Sequence, residues 1–385
     1  MPAYLDHAAT TPVRPEAVAA LLPLLTEGYG NPSGSHAVAR AARRVLDDAR
    51  EVVAAAVGAR PDEVVFTSGG TESDNLAVLG RHDRVGGTVV CSAVEHHAVL
   101  VPVEHRGGRV VAVDRHGRID LDALADALDP DVTLVSVMAV NNEVGAIQPI
   151  ADVAKVVAEH APNAVLHTDA VQAVPWLDTA EVLSSAALIT MSGHKIGAPK
   201  GVGVLVVRDG VDIASRNLGG GQEFERRGGT QNVPGIGALA AALSATVAER
   251  ADTAARVARL RDRLADGLRA EIDDLVEAAV PTGPDGRPDR SGVVPGICHI
   301  CVPGISSEAL LFLLEMHGVS ATAASSCASG ALEPSHVLAA MGVPRDLAAG
   351  SLRLSLGHDS TDADVDLALE VVPDAVRRLR AHAGG

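Results

Sequence analysis

The sequence predicts an α/β fold: a large domain on a mainly parallel seven-stranded sheet, with a smaller α+β domain beside it. Three observations carry this. Seven short apolar runs, at residues 64–66, 88–91, 109–113, 133–140, 164–168, 187–191 and 202–207, alternate with longer Ala-rich amphipathic stretches. Such alternation places parallel strands in one sheet, because each crossover needs a helix-length connection. The rhythm then breaks into one long Ala/Arg/Asp/Leu helix at about 233–272. Beyond it a Gly-, Pro- and charge-rich segment, 281–295, reads as an exposed loop.

Each element has a local reason. The seven runs are short and apolar, as buried strands are. Residues 121–128 and 150–160 carry helical periodicity between strands. Past the exposed loop come a strand at 296–302, a helix at 307–317, a strand at 351–356 and a last helix from Asp362. Residues 14–251 are assigned to the large domain, and 1–13 with 252–385 to the small one.

The chain of 385 residues is 47% hydrophobic but only 2% aromatic, so its core must be Ala, Val and Leu. A net charge of -17 argues against holding nucleic acid or an anionic membrane directly, since both need a basic footprint. No apolar stretch approaches a membrane span. The N-terminus lacks the basic region and apolar core of a signal peptide, so a cytoplasmic protein is expected. Four cysteines are too few for a disulfide scaffold. Cys298 and Cys301 mimic a metal or redox pair. They lie three apart on a strand, however, and so point to opposite faces.

The chemistry gathers around Lys195, in Ser192-Gly193-His194-Lys195 between two apolar runs. Removed from water, an ammonium becomes an amine able to attack a carbonyl. Asp169, in His167-Thr168-Asp169-Ala170-Val171-Gln172, ends a neighbouring run. A lysine and a carboxylate so placed suit pyridoxal phosphate, as covalent anchor and as partner of the pyridine nitrogen. The alternative is a lysine that snorkels at a strand end. Gly69-Gly70-Thr71 joins a strand to a helix start, where free N–H groups can hold an anion. A capping box, Thr71 to Asp74, would explain the same residues without a ligand. His96 and Asn142 follow other strands, at the ends that line the ligand crevice of open α/β sheets. His96 could equally cap a helix. Arg353 offers a guanidinium fork for a carboxylate, or pairs with an acid on an edge strand. Cys327 lies among small residues that would leave its thiol accessible, or is a small buried cysteine.

Together these motifs resemble the cysteine desulfurases of the aminotransferase class V group, which have the pyridoxal phosphate fold of type I. The resemblance runs from Tyr4-Leu5-Asp6-His7-Ala8-Ala9-Thr10-Thr11-Pro12 to the final helix. It takes in Gly30-Asn31-Pro32-Ser33, Thr67 to Asn75, Glu95-His96, Asn141-Asn142-Glu143, His167 to Gln172, Ser192 to Lys195 and Leu332-Glu333-Pro334-Ser335. The last of these is similar to the iron-sulfur (NifS-like) branch.

The resemblance implies roles. Lys195 would hold pyridoxal 5'-phosphate and move the substrate α-proton, with Asp169 on the ring nitrogen and His96 stacked on the ring. Asn142 and Gln172 would contact its phenolic oxygen. Gly70, Thr71, Ser192 and His194 would bind its phosphate, joined by Thr230 from the neighbouring subunit of a homodimer. Asn31 and Arg353 would hold the carboxylate of L-cysteine, and Cys327 would take its sulfur as a persulfide. No metal is implied. The sulfur acceptor would be an iron-sulfur scaffold, a transfer-RNA thiolation enzyme or a partner in DNA phosphorothioation. The other readings are transamination or selenocysteine lysis on the same fold, or a cofactor-binding scaffold without turnover. Gly70 stands where the family has Ala, and the Cys327 loop departs from its usual sequence.

Overall fold

A computed structural model describes residues 2–323 and 335–383. Its strands, in chain order, are β1 (Ala3–Tyr4), β2 (Val64–Thr67), β3 (Thr88–Ser92), β4 (Arg109–Val111), β5 (Val132–Ser136), β6 (Val165–Asp169), β7 (Leu188–Ser192), β8 (Gly203–Val207), β9 (Val276–Glu277), β10 (Ile297–Cys301), β11 (Val319–Ser320) and β12 (Ser351–Ser355).

Strands β2 to β8 form one seven-stranded sheet in the order β2-β8-β7-β6-β5-β3-β4. β4, β3, β5, β6 and β7 pair in parallel. β8 runs antiparallel to both β7 and β2. The link from Ser192 to Gly203 is too short for a crossover helix, so the chain turns back on itself there. Alternate residues serve opposite faces. Val64, Phe66, Val90, Val135, Ile189 and Val206 join one core cluster. Val65, Val89, Cys91, Leu134, Leu188 and Leu205 join another. Both faces are covered, as a parallel sheet requires.

Two stretches depart from the sequence reading. The strand expected over 133–140 is regular only to Ser136. Beyond it Val137 and Ala139 still donate to the carbonyls of His167 and Asp169. The intervening Met138 N–H instead meets Glu95 Oε1 at 2.8 Å. The strand thus peels open where the cleft begins. The run at 109–113 ends its sheet pairing at Val111, and Val113 bridges Ile119 instead. Two further helices, Pro15–Thr26 and Ala37–Ala56, carry no strand-like signal. The second buries Ala42, Leu46, Ala49 and Val53, at helical spacing, against the first core cluster.

A second core gathers Leu5, Leu310, Leu314, Leu352, Leu354 and Val372. It is framed by the antiparallel sheet β12-β10-β9 and by β1 paired in parallel with β11. Cys298 belongs to this core, whereas Cys301 lies in a separate cluster with Val144 and Met341. The two thiols therefore leave their strand on opposite sides. The helix Val233–Glu271 joins the two main cores. Ile236, Leu239 and Leu243 pack in the first, and Val257, Leu260 and Leu264 in the second. Position 251/252 falls inside this helix, between the two packed stretches.

Candidate active site

The ends of β5, β6 and β7 open into a cleft of about 360 Å³. Gly70, Thr71, His96, Asn142, Asp169, Gln172, Ser192, His194, Lys195 and Arg353 all line it. Asn31 and Thr230 do not. Both are exposed, and the Asn31 carboxamide accepts from the Ser33 N–H at 3.0 Å. Cys327 lies outside the described residues.

Lys195 closes a short turn directly after β7. Gly193 is required there, because a Cβ would stand 2.9 Å from Val202 Cγ1 and 3.0 Å from Ala198 Cβ. Lys195 Nζ donates to the carbonyls of Ala8 and Ala9, both at 2.6 Å. Gln172 Nε2 shares the Ala8 carbonyl at 2.8 Å. The N-terminal segment is thus a wall of the cleft, and Asp6 at its edge lines it as well.

Asp169 ends β6 with its carboxylate accepting the Val171 N–H at 2.8 Å. Burial raises its pKa to about 6, against the pull of that N–H and of Lys195. Beside it lies a residue whose placement the sequence did not reveal. Asp74 is buried, lines the cleft, and its Oδ1 meets no hydrogen-bond partner among the described residues. Burial first, and the Asp169 charge second, push its carboxyl well above the ordinary range. The capping-box reading of Asp74 therefore fails. The helix Gly70–Val85 starts at Gly69 (φ 157°, ψ 179°) with no side-chain cap, and Asp74 turns inward. His167 Nε2 approaches Asp74 Oδ1 at 3.6 Å. Burial lowers His167 to about 3, so it is neutral and forms no ion pair. Its ring nitrogens meet Ser136 Oγ at 2.8 Å and Thr190 Oγ1 at 3.1 Å.

The uncapped start of helix Gly70–Val85 faces the cleft with Thr71, Ser192 and His194 around it. The turn lies close against β8: a Cβ on Gly203 would come 2.6 Å from the Gly69 backbone. At Gly70 a Cβ would stand 3.2 Å from Val171 Cγ2, so the family's alanine would be a tight fit here. Burial lowers His194 to about 4.

His96 does two things at once. Its Nδ1 accepts the Ala98 N–H at 3.1 Å, capping the helix His97–His105, and its ring lines the cleft. Burial and then Lys195 lower it to about 4, which leaves it neutral with its proton on Nε2. Arg353 likewise lines the cleft and is paired with an acid. It sits on the edge strand β12 and pairs with Asp6 at 2.9 Å. Its Nη1 donates to the Asn142 carbonyl at 2.9 Å, while its buried Nε meets no partner among the described residues. His299, directly across the strand pair, is buried, and neither ring nitrogen meets a partner among the described residues.

An amine and a buried carboxylate at neighbouring strand ends, above an uncapped helix start, define an enzyme that works with pyridoxal 5'-phosphate. The aminotransferase class-V family model matches residues 3–368, and the chain belongs to that family. An IscS-like cysteine desulfurase of Mycobacterium tuberculosis is 45% identical, over 99% of this chain and 98% of its own. Among solved structures, a NifS-like protein matches with a TM-score of 0.89 at 33% identity, over 98% of this chain and 100% of that one. DndA from Streptomyces lividans matches with a TM-score of 0.74 at 37% identity, over 91% of this chain and 99% of that one.

The residues present fit the cofactor on their own chemistry. Two buried carboxyls, Asp169 and the half-orphaned Asp74, would gain a positive partner from a protonated pyridine nitrogen. The open helix N-terminus and the hydroxyls of Thr71 and Ser192 match a phosphate.

Proposed function

We propose that this chain is a cysteine desulfurase, converting L-cysteine to L-alanine and passing the sulfur through Cys327 to an acceptor protein. The observation that carries the reading is the gathering of Lys195, Asp169, His96 and Arg353 in one cleft. When bound, pyridoxal 5'-phosphate supplies an electron sink for the pair left by the broken Cα–H bond. Lys195 would anchor it, Asp169 would keep its ring nitrogen protonated, and Gly70, Thr71, Ser192 and His194 would hold its phosphate. Asn142 and Gln172 would contact its phenolic oxygen.

The chain's own groups then divide the work. The Arg353 fork, steadied by Asp6 and by the Asn142 carbonyl, orients the substrate carboxylate. Asn31 shares that task once the carboxylate is bound. The Lys195 amine takes the α-proton and returns it at Cα, while the proton released by the substrate thiol replaces the sulfur at Cβ, relayed beside His96. The Cys327 thiolate attacks that sulfur: the substrate Cβ–S bond breaks, an S–S bond forms, and alanine leaves.

A two-fold homodimer accompanies this reading. Thr230 is exposed outside its own cleft, on a segment that also exposes Leu218 (90%) and Phe224 (47%). It would reach the phosphate of the partner subunit. Iron-sulfur assembly, transfer-RNA thiolation and DNA phosphorothioation are the candidate destinations of the sulfur, in the cytoplasm. No described helix is long and apolar enough to cross a membrane.

The test is direct. The purified protein is expected to show a visible cofactor band and to release alanine, with sulfide when a reductant is present. Cys327→Ala is expected to keep the band and lose sulfide. A band without alanine or sulfide from cysteine would move the reading to another substrate class. Full sulfide release by Cys327→Ala would end the persulfide step.

A further inference from the structure

Cys327 belongs to residues 324–334, and the chain is described on both sides of that stretch. Both sides are tied to one place in the cleft. Before it, the Thr322 carbonyl accepts the Arg353 N–H at 2.8 Å, and the Thr322 N–H reaches the Arg353 carbonyl at 3.3 Å. After it, the Ser335 hydroxyl donates to Glu143 Oε2 and accepts the Leu338 N–H at 3.2 Å, which caps the helix His336–Ala340. His336 adds a tie, its Nε2 donating to the Glu95 carbonyl at 2.9 Å. Glu143 follows Asn142 and Glu95 precedes His96, and both Asn142 and His96 line the cleft. The Asn142 carbonyl in turn accepts Arg353 Nη1 at 2.9 Å. One end of the stretch therefore meets Arg353 directly, and the other meets it through Asn142-Glu143.

The Glu143 side chain does not build the turn that carries it. Asn141 does. Its Oδ1 accepts the Glu143 and Val144 N–H groups at 2.9 and 3.0 Å, and its Nδ2 donates to the Val94 carbonyl at 3.0 Å. The Glu143 carboxyl instead reaches out of the turn, and among the described residues Ser335 is its hydrogen-bond partner. Both side chains are buried, which is costly unless each satisfies the other. The short helix after Ser335 has its own seat: Val337 and Leu338 pack with Val94, Val144 and Met341. Losing the Glu143 bond therefore shifts an end rather than unfolding a helix. A thiol carried between two fixed ends meets its target at an effective concentration that those ends set.

We propose that Glu143 and Ser335 are positioning residues for Cys327: their bond sets the C-terminal end of its stretch against the turn that steadies the Arg353 fork. The substrate carboxylate and the attacking thiol are then both referred to residues 141–144. The inference rests on the reading of Cys327 as the group that takes the sulfur. It assigns the pair no part in binding the cofactor or in moving the α-proton, which belong to Lys195 and its neighbours.

The experiment compares two reactions of the cofactor-loaded protein. One is exchange of the α-hydrogen of L-alanine for deuterium from heavy water, which needs Lys195 and no thiol. The other is alanine release from L-cysteine in a single turnover, which needs Cys327. Glu143→Met keeps the side chain's volume and removes the acceptor. It is expected to keep the cofactor band and the exchange rate, and to slow alanine release roughly ten- to a hundredfold. Glu143→Gln, which restores the acceptor, is expected to recover most of the rate. Ser335→Ala should match Glu143→Met, and the two combined should be no slower than either alone, because one bond is lost in all three. Undiminished alanine release in Glu143→Met, exchange and release falling together, or losses that multiply in the double variant would each overturn the proposal. Should Glu143→Met not fold, Ser335→Ala carries the same comparison. A wild type that exchanges alanine but releases none from cysteine is a different failure: it would end the reading of Cys327, and this inference with it.

Discussion

Glu143 shows how far one residue's burial reaches. It follows the peeled end of β5, accepts a hydrogen bond from Ser335, and is raised to about 7 by burial, against the opposing effects of Ser335 and Arg353. The folded chain therefore holds a proton that the unfolded chain has released between about pH 4.5 and about pH 7. Its stability falls as pH rises through that window, by on the order of 3 kcal/mol at most. Glu143→Gln removes the titration and keeps an acceptor for Ser335. Urea midpoints are expected to drop less between about pH 5 and about pH 8 in the variant than in the wild type. Equal drops would place the proton elsewhere. Legibility at this scale was uneven. Lys195 and Asp169 stand at the ends of apolar runs, so chain position alone suggested their use. Asp74 and His299 gave no such sign. Which way a helix residue faces, or what lies across a strand, is decided by pairing that only the fold supplies.

Among the elements, β2 depends on a buried ion pair at the sheet edge. Arg50 Nη2 meets Glu223 Oε1 at 2.5 Å, and Glu223 Oε2 accepts the Phe66 N–H at 2.8 Å. The Arg50 guanidinium also lies 4.8 Å from the Phe66 ring and 5.0 Å from that of Phe224. Glu223 and Phe224 take left-handed backbone conformations to reach this place, φ 47° and 57°. Arg50→Leu strands a carboxylate whose side chain is fully buried, a loss of about 3–5 kcal/mol. Adding Glu223→Gln to it should recover much of that loss in urea unfolding. A double variant no better than the single would mean packing, not charge, is at stake. The seven strands were legible because short apolar runs between amphipathic helices have few other uses. The reversal of β8 was not read, since it follows from the length of a turn. Helix Ala37–Ala56 was missed because alanine carries its buried face, and alanine patterns contrast weakly.

At the scale of the whole molecule, the charge of -17 leads to the expectation that the chain does not hold nucleic acid by itself. The protein is expected to pass unretained through immobilised heparin, and to leave duplex DNA unshifted in a gel at about physiological salt. Retention would reveal a local basic patch and reopen direct contact with nucleic acid.

The helix Val233–Glu271 runs unbroken for 39 residues, from one main core into the other. No pliable tether lies along it for one half to swing from or to unravel by itself. Heat should therefore dismantle both halves in a single calorimetric step, and excising either half would leave the other with a bare greasy stripe.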